Sequence, residues 1–405
     1  MISKKRVLLI VIIVILITFS ATLAGTTYLG FKTDDKIIVP MERYNALREL
    51  EKKYEKHEYI SQLVQDSFLY EKDEAAIFEG SLKGMLAVLE DPYSEYLTTE
   101  EFDSLIEQTQ GEYSGIGIYV SVTEDNKIVV VSPIEDTPAD KAGLRTGDFI
   151  SKVNGVEYPG DRLSDAVSVM KGKPGTDVTI TINRVQKDGS ELNFDVVITR
   201  QSIKIETIKY EMLEDNIGYI RITTFDQKTD EDFNVALKAL TTQAMTGLII
   251  DLRYNPGGLI TSVTEIADAL LGETIITYTQ TRDGQREYYN SDKKKIDVPM
   301  VILINEGSAS ASEILAGAVK DTGSGTLVGT KTFGKGIVQR IMPLDDGSGV
   351  KLTVSEYFTP NDVNIHGIGI EPDVFIELPE DVSYGPDNIE EDVQLQRAIE
   401  IIKLK

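Results

Sequence analysis

Between Arg6 and Lys32 the chain carries no charged side chain, and residues 7–17 are apolar without a break. Few structures accommodate such a stretch in water. As a helix rising about 1.5 Å per residue, the uncharged run extends roughly 38 Å, more than the hydrocarbon core of a bilayer. Lys4, Lys5 and Arg6 stand in front of it, so the positive-inside tendency predicts that the first residues stay cytoplasmic and the rest is delivered outward. Thr22-Leu23-Ala24 followed by Gly25 also reads as a small-residue cleavage site. Residues 1–31 are therefore expected to be a retained signal anchor or a cleaved signal peptide. The body is then a single-pass ectodomain outside the cytoplasm at the cell membrane, or is secreted.

Composition limits what that body can do. With no cysteine in 405 residues there is no disulfide framework, thiolate nucleophile or cysteine-ligated metal. His57 and His366 are the only histidines, too few for a multi-histidine metal centre. A formal charge of −25 repels phosphate backbones, so nucleic acid is not expected as a partner. The length predicts two or three domains.

From residue 41 to 89 apolar side chains recur at helical spacing, with Leu47, Leu50 and Tyr54, then Ile60, Leu63 and Val64, then Met85, Leu86 and Leu89. Two or three amphipathic helices fit, and His57, among charged neighbours, is read as surface. Pro92, in Asp91-Pro92-Tyr93-Ser94-Glu95-Tyr96-Leu97, breaks the pattern. Short β-branched runs at 115–122, 127–132, 148–153 and 178–183, with helices at 138–142 and 164–171, predict a compact β-rich module. From 217 onward, strands at 217–223, 247–252 and 300–304 alternate with helices at 229–243, 261–271 and 312–320. That alternation predicts a mixed or mainly parallel sheet covered by helices. The runs at 337–343 and 349–358 resemble a hairpin, and Leu395, Ala398, Ile399 and Ile402 predict a closing helix. The expected fold class is α/β in the mixed α+β sense: a helical region over 32–97, a small β-rich module over 98–186, an α/β core over 187–380 and a last helix over 381–405.

The most unusual stretch is Asn305-Glu306-Gly307-Ser308-Ala309-Ser310-Ala311-Ser312-Glu313, directly after the apolar run at 301–304. Tiny residues at a strand-to-helix turn let backbone amides approach a substrate, and a helix N-terminus favours developing negative charge. A serine there suits a nucleophile, although Ser-Ala repeats also serve close helix packing and Ser312 could be an N-cap. No Gly-x-Ser-x-Gly elbow occurs. A histidine base is available only through His366. The other candidate is lysine: Gly334-Lys335-Gly336 encloses one between glycines. Lowering a lysine pKa from near 10.4 to 7 or 8 takes roughly 3 units, about 4 kcal/mol, within reach of burial in a dry cleft. Gln339 could hold that amine through its carbonyl. Leu252-Arg253-Tyr254-Asn255-Pro256-Gly257-Gly258 follows another apolar run, and its glycine amides could contribute to an oxyanion hole or simply make a turn. Ser348-Gly349-Val350-Lys351 matches Ser-x-x-Lys but falls in the hairpin, without its companion motifs.

These motifs, with Asp91-Pro92-Tyr93-Ser94 and Gly115-Ile116-Gly117, resemble in order the C-terminal processing (tail-specific) serine peptidases that use a Ser/Lys dyad. The resemblance spans the whole ectodomain. It implies Ser310 as nucleophile, Lys335 as base and Gln339 as the third polar residue. It also implies an oxyanion hole from Ala311 with Gly257 or Gly258. The module over 98–186 then resembles a PDZ domain, with Gly115, Ile116, Gly117 and Ile118 as the loop receiving a peptide's C-terminal carboxylate, and the 187–380 core is the peptidase domain. The implied activity is an extracytoplasmic serine endopeptidase that captures protein C-termini and cleaves through an acyl-enzyme. No metal or cofactor is implied. In related proteins the N-terminal helical region and the last helix occupy dimerising positions, so a homodimer is expected. The alternatives are a catalytically inactive, membrane-tethered PDZ scaffold and a His366-dependent hydrolase.

Overall fold

The computed structural model describes residues 4–29, 31–33, 36–186, 189–379 and 382–405, with backbone alone over 26–38. The expected boundaries at 187 and at 380–381 lie outside the described residues. The chain divides into two compact units, 1–88 and 89–405.

In the first unit, helix α1 (Lys4–Leu29) contains the apolar residues 7–17, and its segment Lys4–Gly25 is long and apolar enough to cross a membrane. Helices α2 (Met41–Ser67) and α3 (Glu74–Ala87) follow. Asp73 starts α3 by accepting the Ala75 N–H at 3.2 Å, as an N-cap should. His57 is exposed and meets Phe78 edge-on.

The second unit includes, near its start, α4 (Thr99–Gln110), a helix the apolar pattern alone does not announce. Four acids, Glu100, Glu101, Asp103 and Glu107, dilute its half-buried stripe of Phe102, Leu105 and Ile106. The legible signal was Thr98 with Glu101, a reciprocal capping box in which Glu101 accepts the Thr98 N–H at 2.9 Å. The β-rich module is one antiparallel sheet in the order Glu191–Thr199, Asp177–Val185, Phe149–Val153, Ile128–Pro133, Ile118–Val122. Helices α5 (Pro138–Lys141) and α6 (Leu163–Met170) accompany it. Ile128, Val130, Ile150, Val178, Ile180 and Ile182 alternate into its core with α6 residues Ala166 and Met170. The strand Ile118–Val122 lies at the sheet's edge. Glu112–Gly115, just before it, instead pairs with Gln201–Lys204 where the chain leaves the module.

The core sheet runs Ile208–Met212, Ile217–Ile222, Gly247–Asp251, Met300–Ile304, Thr326–Gly329, Val374–Phe375. Its first pair is antiparallel and the rest are parallel. The central strands are buried on both faces, which explains their unbroken apolar runs. Ile250, Ile302 and Ile304 face α7 (Thr229–Thr242), α8 (Ile260–Leu270) and α9 (Ala311–Thr322). Ile249, Val301 and Leu303 face α10 (Val393–Lys403) through Leu395, Ala398 and Ile402. The fold class is thus mixed α+β as expected. A second, antiparallel sheet contains the expected hairpin of Ile337–Pro343 and Gly349–Phe358, extended by Thr274–Thr281 and Arg286–Ser291. Glu95–Leu97 pairs with Gly349–Lys351 on the edge that Thr274–Thr281 uses farther along, and carries the Asp91–Ser94 loop onto the hairpin.

A buried ionic cluster locks α10 to the core. Arg253, 1% exposed, donates to Asp251 at 2.6 Å and to Asp392 at 2.8 Å. Tyr219 Oη donates to Asp251 at 2.7 Å. Arg253→Leu strands two facing carboxylates, so equilibrium urea unfolding should show a loss of about 3–5 kcal/mol; a loss under about 1 kcal/mol contradicts the lock.

Candidate active site

Parallel strands deliver their following loops to one end of a sheet, where ligands of such sheets bind. Here the neighbouring strands Gly247–Asp251 and Met300–Ile304 lead into the loops 252–258 and 305–310. Asn255 organises the first loop: its Oδ1 accepts the Gly257 N–H at 2.9 Å and its Nδ2 donates to Ile222 O at 2.8 Å. Asn305 ties the loops together by accepting the N–H groups of Tyr254 at 2.8 Å and Gly307 at 3.1 Å.

The three serines have different surroundings. Ser308 and Ser312 are fully buried, and their hydroxyls donate to Leu252 O at 2.8 Å and Asn255 O at 2.9 Å. Both fasten the second loop to the first. Ser310 alone is half-exposed, at the start of α9, and lines a cavity of about 310 Å³. Its backbone has φ 54° and ψ −113°, outside the regions favoured by non-glycine residues. Strain of this kind persists only where the surroundings hold it. Tyr357 Oη, on the hairpin, donates to Ser310 O at 3.0 Å and contributes to that hold.

Ala311, Gly258, Lys335 and Gln339 line the same cavity as Ser310. Gly257 does not: a Cβ there would lie 2.7 Å from Ala309 O and 2.8 Å from Ser310 Cβ, so it is the close-approach residue beneath the serine. Its N–H is also taken by Asn255. Among the described residues, the N–H groups of Ala311 and Gly258 donate to no protein acceptor.

Lys335 sits on a strap whose tightness explains its glycines. A Cβ on Gly334 would fall 2.9 Å from Gly369 N, and one on Gly336 2.6 Å from His366 N. Burial and the neighbouring Lys351 push the Lys335 amine below the ordinary lysine value, against a smaller pull upward from Asp91. Among the described residues, Lys335 Nζ makes no hydrogen bond to Ser310 or Gln339; it lies 4.2 Å from the centroid of the Tyr93 ring. Gln339 Nε2 instead donates to Thr353 Oγ1 at 3.3 Å.

Sequence reasoning assigned no role to the group that joins these parts. Glu313, fully buried, accepts the N–H groups of Ser310 at 2.9 Å and Lys335 at 2.8 Å on one oxygen. Its other oxygen accepts the Gly334 N–H at 2.8 Å and the Thr332 hydroxyl at 2.5 Å. One carboxylate thus grips the backbone on either side of the cavity. A readable signal existed: an acid three residues after a helix-starting serine is a capping-box spacing.

The remaining expected residues lie apart. His366 is exposed and lines a different pocket, with Asp91 and Tyr93. Gly117, φ +82°, has no room for a side chain, since a Cβ would be 2.3 Å from Thr137 Cβ. Among the described residues, the N–H groups of Ile116 and Gly117 have no protein acceptor. Ile118 lines a cleft together with Val167 of α6, bordering the sheet's free edge.

Comparison with known proteins agrees with this anatomy. Residues 216–376 match peptidase family S41, 114–198 match a PDZ domain, and 18–101 match the N-terminal domain of the activating protease CtpB. A carboxy-terminal-processing protease of Bartonella bacilliformis is 42% identical over 328 residues, 79% of this chain and 74% of the relative. The carboxy-terminal processing protease CtpB of Bacillus subtilis is 36% identical over 367 residues, 89% of this chain and 74% of the relative. The solved photosystem II D1 C-terminal processing protease is 31% identical, covering 78% of this chain and 88% of its own, with TM-score 0.47.

Glu313→Gln keeps the volume but turns one oxygen into a donor facing N–H groups. Steady-state kinetics should show kcat reduced about 10²-fold with KM changed little, the cost of misplacing reacting groups; an unchanged kcat contradicts the clamp.

Proposed function

Because the chain belongs to the carboxy-terminal processing proteases, serine peptidases with a PDZ domain, we propose that it cleaves proteins through an acyl-enzyme on Ser310 with Lys335 as the base. The observation that carries this reading is that Ser310 and Lys335 open onto one cavity while Glu313 holds both backbones. Ser308 and Ser312, committed to loop carbonyls, are poor competitors for the role.

In this mechanism neutral Lys335 takes the Ser310 hydroxyl proton as Oγ attacks the peptide carbonyl. The oxyanion is met by the two unspent amides, Ala311 N–H and Gly258 N–H, the former at the positive end of α9. Of the two glycines, Gly258 is the donor, because the Gly257 N–H is taken by Asn255. Collapse of the tetrahedral intermediate breaks the C–N bond, and Lys335 returns its proton to the leaving amine. Lys335, neutral again, then deprotonates a water that attacks the acyl carbonyl, and returns that proton to Ser310 Oγ as the acyl–oxygen bond breaks. Gln339 supports the strand beside the lysine through Thr353. Phe225, Leu259, Ile260, Ile314 and Ile337 wall the cavity, which suits an apolar residue before the scissile bond.

The substrate's C-terminus would be held by the PDZ domain. The open N–H groups of Ile116 and Gly117 suit a carboxylate, and the edge strand Ile118–Val122 suits an added peptide strand. The N-terminal helix would place this ectodomain outside the cytoplasm. A homodimer would form through α2 and α3, where Leu47, Leu50 and Tyr54 of α2 and Phe78 and Met85 of α3 stand exposed. The last helix is less suited, because its apolar face packs on its own sheet.

Ser310→Ala should abolish turnover and fluorophosphonate labelling, and Lys335→Ala should cut turnover at least 10²-fold, both with unchanged melting. Labelled, active Ser310→Ala or near-full activity in Lys335→Ala rejects the dyad. Since the neutral amine is the working form, kcat/KM should rise with pH to a plateau whose midpoint lies below the ordinary lysine value near 10.4. A midpoint at or above that value contradicts a desolvated base.

A further inference from the structure

Asp91-Pro92-Tyr93-Ser94 is used by no step above, yet it is built onto the base. The Asp91 carboxylate accepts the Tyr93 N–H at 3.1 Å and the Ser94 hydroxyl at 2.6 Å. Ser94 Oγ in turn accepts the Thr353 N–H at 3.0 Å. The loop is thereby fastened to the hairpin strand that Gln339 also reaches, and Tyr93 presents its ring to the Lys335 amine with 4.2 Å from Nζ to centroid. An ammonium over an aromatic face is attracted by the ring quadrupole, and a neutral amine is not.

We propose that Tyr93 is a positioning residue for the base: its ring parks the protonated Lys335 amine away from Ser310, and the amine reaches the serine after losing its proton and leaving the ring. Resting on the Ser/Lys reading, this adds an opposing pair of influences. Desolvation favours the neutral, working amine, while the ring favours the charged, parked one. The groups facing the amine are few. Asp91 lies on the Tyr93 loop; Lys351, on the hairpin, is paired with Glu95; and Glu313 reaches the strap through the N–H groups of Gly334 and Lys335 and the Thr332 hydroxyl. His366 acts on Asp91 from the adjoining loop.

The test measures kcat/KM against pH on the full-length protein with Tyr93 replaced by Phe and then by di- and trifluorophenylalanine. Fluorine weakens the ring quadrupole with little change in volume. Phe should leave the acid-limb midpoint in place, and each fluorinated ring should move it downward, by about 0.5–1 pH unit in total. A midpoint that stays fixed along the fluorinated series, or moves upward, overturns the proposal. So does a downward shift already complete in Tyr93→Phe, which would assign the effect to the hydroxyl. Lys335→Ala run alongside separates the two readings. Turnover in that variant removes the dyad itself, whereas its loss together with an unmoved fluorinated series removes only the role of Tyr93.

Discussion

The site depends on one buried carboxylate. Glu313 receives four hydrogen bonds, two of them from the N–H groups of Ser310 and Lys335 themselves. The serine lies at the start of α9 and the lysine on a strap 25 residues later, so no local rule of helix or turn geometry places them together. A buried carboxylate is costly unless its lone pairs are filled. Here three backbone N–H groups and a hydroxyl fill them. The strained backbone of Ser310 is held by the same device, with Tyr357 on its carbonyl side.

Much of this was legible beforehand because periodicity and turn chemistry are local. The apolar runs at 247–252 and 300–304 announced central strands, and Asn-Pro-Gly-Gly and Ser-Ala-Ser-Ala-Ser marked loops where backbone comes close. The glycines around Lys335 predicted tight enclosure and have it. What stayed hidden depends on tertiary pairing. In the hairpin of Thr274–Thr281 and Arg286–Ser291 the second strand is polar because most of it is exposed, while the first buries threonines such as Thr277, whose hydroxyl donates to Phe358 O at 2.7 Å. The roles of Glu313 and Tyr93 exist only once strap, loop and helix meet. The choice among three serines also needed partners: two hydroxyls are spent on carbonyls and one is not.

The two glycines show how a shared motif separates into distinct physical jobs. Gly257 is demanded by space, with φ +102° and no room for a methyl beside Ser310. Gly258 is demanded by space as well, since a Cβ there would lie 2.1 Å from Phe225 O, but its N–H is unspent and it borders the cavity. Likewise Gln339 borders the cavity with Lys335 while its amide donates to Thr353 on the neighbouring strand.

The central claim is that Ser310 attacks with Lys335 as its base and with Ala311 and Gly258 receiving the oxyanion. A crystal structure of the protein carrying a peptidyl aldehyde on Ser310 tests it most directly. The account predicts a tetrahedral adduct whose oxygen accepts both amides, with Lys335 Nζ drawn off the Tyr93 ring into hydrogen-bonding distance of Ser310 Oγ. An adduct oxygen turned to solvent, or a different serine modified, contradicts it.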